Sequence, residues 1–126
     1  MPVKVIDASA IGALLFGETE GPNIARQLSG HRLVAPELLF FEVASICLKK
    51  LKRYPDQRRS ILEAFKMLGR LAIEKVDIDH TEAVLLAERR GLTAYDASYL
   101  WLAMRLDAEL VTLDQRLGEA WSAGHN

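Results

Sequence analysis

Four acidic residues in this 126-residue sequence stand where solubility alone does not explain them: Asp7, Glu42, Asp96 and Asp114. Asp7 ends the short apolar run Val3–Ile6 and opens the stretch IDAS, while Asp114 closes VTLD. Glu42 lies in PELLFFEVASICL, where its helical neighbours at three and four residues are Leu38, Leu39, Ser45 and Ile46. An ionised glutamate on such an apolar face is costly unless it is paired, and no lysine or arginine falls within one turn. Asp96 sits in TAYDASYLWLAM as the third helical residue after Thr93. Each position has an ordinary explanation. Asp7 and Asp114 suit helix N-caps, Thr93 and Asp96 imitate a capping box, and Glu42 can be protonated or paired at a distance. Gathered at one place, however, the four charges would repel one another and raise their pKa values unless a cation bound. Oxygen ligands without histidine or cysteine partners favour Mg²⁺ or Mn²⁺ over zinc.

Two hydroxyls accompany these acids. Ser9 follows Asp7 by two residues, and Thr112 precedes Asp114 by two, on the same face of a strand. Other chemistries lack their residues. His31, His80 and His125 show no metal-ligand spacing and read as surface or loop residues. There is no cysteine–histidine nucleophile pairing, no serine elbow and no glycine-rich phosphate loop.

The elements that must position the acids follow from the hydrophobic pattern. Four runs read as strands: Val3–Ile6, Arg32–Ala35, Ile73–Ile78 and Glu109–Leu113. Helical patterns cover Ala8–Phe16, Pro22–Leu28, Glu37–Arg53, Arg58–Leu71, Thr81–Arg90, Ala94–Leu106 and Gln115–Trp121. Pro36 suits a first helical turn, Tyr54-Pro55 a helix end, and Gly91 a stop. Strands alternating with helices predict an α/β fold. It is a single domain over 1–126, with a central parallel sheet of four to five strands covered by helices on both faces. Such sheets bind ligands outside the carboxyl ends of their strands. Asp7 and Asp114 directly follow two of those ends.

Composition narrows the class. Half of the residues are hydrophobic, enough for a core of one ordinary domain. No segment has the roughly 20 apolar residues a membrane span needs. Lys4 and the ASAIGALLF stretch imitate a signal peptide only faintly, since Asp7 interrupts the run. The single cysteine, Cys47, reads as a small core residue of a protein in a reducing, cytoplasmic setting. Net charge is −1, yet residues 49–70 carry +6 and the remainder −7. Lys49, Lys50, Lys52 and Arg53 begin this window, which is either a phosphate-binding face or a solvated helical hairpin. Phe40, Phe41, Tyr99 and Trp101 fall in helical apolar patterns and read as core or dimer interface. Tyr95, beside Asp96, is a candidate for stacking on a base.

IDAS at the start, Glu42 in the long helix, YDAS around Asp96 and VTLD near the end resemble the PIN domain family. The length and the lack of an appended domain are similar to its VapC-type toxins, the ribonuclease half of toxin–antitoxin pairs. The resemblance implies that Asp7, Glu42, Asp96 and Asp114 bind divalent metal, Mg²⁺ or Mn²⁺, with Ser9 and Thr112 supporting them. It also implies a homodimer, a cognate antitoxin and metal-assisted endoribonuclease activity. Two alternatives remain open on the residues. One is a non-catalytic RNA- or protein-binding module on the same fold. The other is an aspartyl-phosphate phosphatase, weakened because Ser9 stands where such enzymes want a second aspartate.

Overall fold

In a computed structural model of the chain, residues 2–124 are described, so His125 lies outside them. Strand β1 (Val3–Ile6) leads through Asp7 into helix α1 (Ala8–Leu15) and then α2 (Gly21–Leu28). Strand β2 (Arg32–Ala35) is followed by α3 (Leu38–Arg53), a short 3-10 turn at Pro55–Gln57, and α4 (Arg58–Lys66). A two-residue strand β3 (Glu74–Lys75) precedes α5 (His80–Arg90) and α6 (Ala94–Leu106). Strand β4 (Glu109–Val111) and α7 (Gln115–Ala123) complete the described residues.

Among the described residues the sheet has four strands in the order β3-β2-β1-β4, and every pairing is parallel. Successive strand residues point to opposite faces. Val5 and Ile6, Val34 and Ala35, and Leu110 and Val111 are nevertheless all buried as neighbours. Both faces are therefore covered, as expected of parallel strands. The chain runs from β1 to β2 on one side, and β4 returns to the other side of β1. The strand order thus reverses between β1 and β4, where Asp7 and Asp114 emerge.

Several expected boundaries shorten. The strand expected over Ile73–Ile78 is only Glu74–Lys75, because its partner β2 ends at Ala35. The Val76 N–H still reaches Ala35 O (2.9 Å), but Glu37, the next residue to face β3, already turns helical at the start of α3. The strand expected to Leu113 stops at Val111, since the Leu113 N–H, next in the ladder with β1, donates to Ser9 Oγ instead. The helix expected over Arg58–Leu71 tightens into a 3-10 turn at Met67–Arg70 around Gly69, a poor helix former. Helix α1 ends at Leu15 with Phe16 as its cap, α2 begins at Gly21, and α3 begins one residue late, at Leu38. Gly91 ends α5 in the left-handed conformation (φ 65°), as its sequence position predicted.

The core joins Val5, Ile6, Ile11, Leu39, Val43, Tyr99, Leu100 and Leu102, with Leu117 behind β4. Cys47 is buried in α3 as the apolar pattern indicated, and burial pushes its thiol pKa up. Helix α1 lies close against α3, where a side chain at Gly12 would meet Ile46 Cδ1 at 3.2 Å. No helix among the described residues is long and apolar enough to cross a membrane.

Candidate active site

Asp7 caps α1 while anchored in the sheet. Its backbone N–H donates to Val111 O (3.2 Å), and its Oδ1 accepts the Ala10 N–H (3.1 Å). Ser9 Oγ donates to the same oxygen at 2.7 Å, and Thr112 Oγ1 donates to Oδ2. Both hydroxyls are themselves held: Ser9 Oγ accepts the Leu113 N–H (2.9 Å) and Thr112 Oγ1 the Asp114 N–H (3.0 Å). The ends of β1 and β4 are thereby tied around one carboxylate that is only 5% exposed. Oδ1 has both of its lone-pair directions filled, and Oδ2 keeps one free.

The other acids arrive on separate helices. Asp114 caps α7 through the Leu117 N–H (2.8 Å), and Thr93 caps α6 by accepting the Asp96 N–H (3.0 Å). Helix α3 supplies Glu42, with Leu38, Ser45, Ile46 and Lys49 on the same side. All of these line one open pocket of about 500 Å³ together with Asp7, Asp96 and Asp114. The four acids thus share one pocket at the carboxyl edge of the sheet. Ser9 also lines it, and Thr112 stands behind Asp7.

Glu42 differs from its expected setting. It is half-buried rather than enclosed, and its partner is the Tyr99 phenol, which donates to Oε1 at 2.5 Å. Sequence reasoning placed Tyr99 only as core or dimer interface. Its ring is indeed 1% exposed, but its oxygen reaches into the site. The available signal was spacing: Tyr99 follows Asp96 by three residues, which puts both on one side of α6. The Tyr99 pKa is driven up by burial and by Glu42, so the phenol keeps its proton to donate. Tyr99→Phe is expected to cost about 1–2 kcal/mol of stability. Losing the donor also raises the Glu42 pKa further. The acid limb of the pH–activity profile should then move to higher pH, and an unmoved limb would remove Tyr99 from the site.

Burial is the chief cause raising the carboxyls of Asp7, Glu42 and Asp96, and mutual repulsion adds to it. Asp114 pushes Asp7 and Asp96 upward, and Asp96 and Asp7 push Glu42 upward. Arg116, which donates to Gly91 O, partly opposes the rise at Asp96. Folded carboxyls with raised pKa bind protons better than the unfolded chain does. Their stabilising contribution is therefore present below the ordinary carboxylate range and is lost as pH rises through the raised values. Asp96→Asn removes one such charge from a partly exposed position. In chelator it should raise the melting temperature at pH 7 by a few degrees, under about 1 kcal/mol, and by little at pH 4. A gain equal at both pH values would show that charge is not its cause.

The donor set is all oxygen and suits a hard divalent cation. No three acidic, histidine or cysteine side chains among the described residues close into a cage for a single ion. The arrangement therefore fits an ion that keeps part of its water shell and meets some of these carboxylates through it, the habit of Mg²⁺.

Of the basic residues expected to contact RNA, Lys49 lines the pocket. Lys50 pairs with Glu18 (3.5 Å) and lies over the Phe16 ring, and Arg53 bonds the Tyr54 hydroxyl (3.0 Å). Lys52 is exposed on the last turns of α3. The aromatics divide: Phe40 and Trp101 are partly buried, whereas Phe41 is 67% exposed and so is not a core residue.

Comparison with known proteins agrees with this fold. The family model described as PIN domain matches residues 4–120. The chain is 32% identical over 124 residues to Ribonuclease VapC3 of Pyrobaculum aerophilum, covering 94% of this chain and 95% of that protein. It is 36% identical over 124 residues to Ribonuclease VapC9 of Mycobacterium tuberculosis, covering 94% of this chain and 91% of that one. A crystal structure of a Pyrobaculum aerophilum protein shares the fold with a TM-score of 0.67 at 24% identity, covering 92% of this chain and 82% of that one.

Proposed function

The chain belongs to the PIN domain family and is of the VapC type, and on that premise we propose that it is a divalent-metal-dependent endoribonuclease, the toxin of a type II toxin–antitoxin pair. The observation that carries this reading is the convergence of Asp7, Glu42, Asp96 and Asp114 on one pocket at the strand-order reversal. Asp7, Asp96 and one or both of Glu42 and Asp114 would hold Mg²⁺ or Mn²⁺, which supplies an activated water and offsets charge developing on the phosphate.

The protein's own groups do the rest. Ser9 and Thr112 hold Asp7 in one orientation with a single lone pair of Oδ2 free. Tyr99 steadies Glu42 by donating to its Oε1. Lys49 stands at the pocket to meet a phosphate, and Lys50, Lys52 and Arg53 continue its positive charge along α3 toward the strand outside the site. A homodimer, a cognate antitoxin and a cytoplasmic setting belong to the same reading.

The test is an RNA cleavage assay on protein free of bound partner, in Mg²⁺, in Mn²⁺ and in chelator. Discrete fragments that appear only with metal are expected. Cleavage unaffected by chelator would overturn the metal assignment. Failure of the folded protein to cut any RNA, with no uptake of Mn²⁺ by calorimetry, would favour a binding module on the same fold.

A further inference from the structure

Two large aromatic side chains remain exposed beside the acidic pocket, Phe41 at 67% and Tyr95 at 62%. Each directly precedes a site acid, Phe41 before Glu42 on α3 and Tyr95 before Asp96 on α6. Consecutive helical residues point about 100° apart, so turning each acid into the pocket turns its aromatic neighbour onto the pocket's flank. Both helices do this on the same side. Phe41 and Tyr95 accordingly line the acidic pocket and also a second, adjoining cavity of about 360 Å³.

This second cavity has an apolar interior that includes Val76, Ile78 and Ala83, while the ionisable groups on its wall are the carboxylates Glu37 and Asp77 and the imidazole of His80. Those carboxylates would repel a phosphate. They would accept hydrogen bonds from the exocyclic amino group of a neutral base. A flat, uncharged, hydrogen-bond-donating ring fits this lining, and the shared aromatics make the cavity continuous with the place where the phosphate is cut.

We propose that the cavity between Phe41 and Tyr95 holds one unpaired nucleobase next to the scissile phosphate, stacked on these two rings. The inference rests on the ribonuclease reading and adds to it a subsite for one base, freed from its stack, beside the cut. Base–aromatic stacking tolerates any base and is strong enough to position a strand. Tyr95 and Phe41 are then positioning residues, and the wall carboxylates favour bases that carry an amino group over uracil.

The experiment uses the full chain and two readouts. In the first, a short single-stranded RNA carrying 2-aminopurine is titrated into Asp96→Asn protein, and stacking is read as loss of fluorescence. Quenching is expected. Adding Tyr95→Ala or Phe41→Ala should weaken binding about tenfold, and Tyr95→Phe should restore it. In the second, kcat/KM is measured on a cleaved RNA and on the same RNA abasic beside the cut, with wild type and Tyr95→Ala. Each change alone should cost about tenfold, and both together no more than one.

Multiplicative losses, or no quenching, would overturn the base site. Quenching without cleavage by wild type would uphold the base site alone while refuting the nuclease reading and, with it, the place beside a cut phosphate. If Phe41→Asp instead splits a dimer into monomers, or Tyr95→Ala releases a bound partner protein, with RNA quenching unchanged, the cavity is a protein interface and the proposal fails. Both residues are surface side chains, so these variants are expected to fold, and a thermal melt beside each assay verifies it.

Discussion

Asp7→Asn is expected to abolish metal-dependent RNA cleavage, by about 10³-fold or more, while the protein still folds. The amide can replace most of the carboxylate's local bonds. Its carbonyl oxygen still accepts from Ser9 Oγ and the Ala10 N–H, and its NH₂ can donate to Thr112 Oγ1, which has a second lone pair beside the one used by Asp114 N–H. What disappears is the negative charge and the one unoccupied lone pair of Oδ2. Calorimetric titration with Mn²⁺ should show weakened binding, and the apo melting temperature should hold or rise because a buried charge has been removed. A folded Asp7→Asn variant that cuts RNA at the wild-type rate would remove Asp7 from the metal set.

Leu100→Ala should be a strongly damaging core change near the site. Leu100 is 1% exposed and lies one helical turn beyond Asp96 on α6, inside the main core cluster. Truncating a buried leucine costs about 3 kcal/mol through lost burial and the cavity left behind. That is a large share of the roughly 5–15 kcal/mol that stabilises a domain. The melting temperature should fall by about 10 °C, and cleavage at 37 °C should fall with it as α6 loses its seat. Val84→Ala on α5 makes the contrast, since Val84 is 56% exposed and should change stability by less than about 0.5 kcal/mol. Urea melts of both variants check the comparison, and equal effects would mean that the assigned core is wrong.

Much of the fold and part of the site can be read along the chain. The strands β1 and β2 and the helix α6 fall at their expected boundaries, because their apolar runs and stop residues are local. The caps formed by Asp7, Thr93 and Asp114 are legible for the same reason: each bond spans three residues. The edge strand β3 is shorter than its apolar residues suggest, because Ile73, Val76 and Ile78 carry no sign that the neighbouring strand β2 turns into α3 just after Ala35.

An α/β chain with four acids at strand ends or on helix faces is readable from the residues alone, since periodicity and capping are short-range properties of neighbouring residues. Which groups meet depends on how the elements pack. The Thr112 hydroxyl reaches Asp7 across 105 positions, and the Tyr99 phenol reaches Glu42 across 57. Both contacts exist because parallel β1–β4 pairing and helix packing bring remote segments together. A helical pattern likewise marks Phe41 as apolar, but not whether another element covers it. Coverage belongs to the packed molecule, and here it leaves Phe41 and Tyr95 open beside the acids.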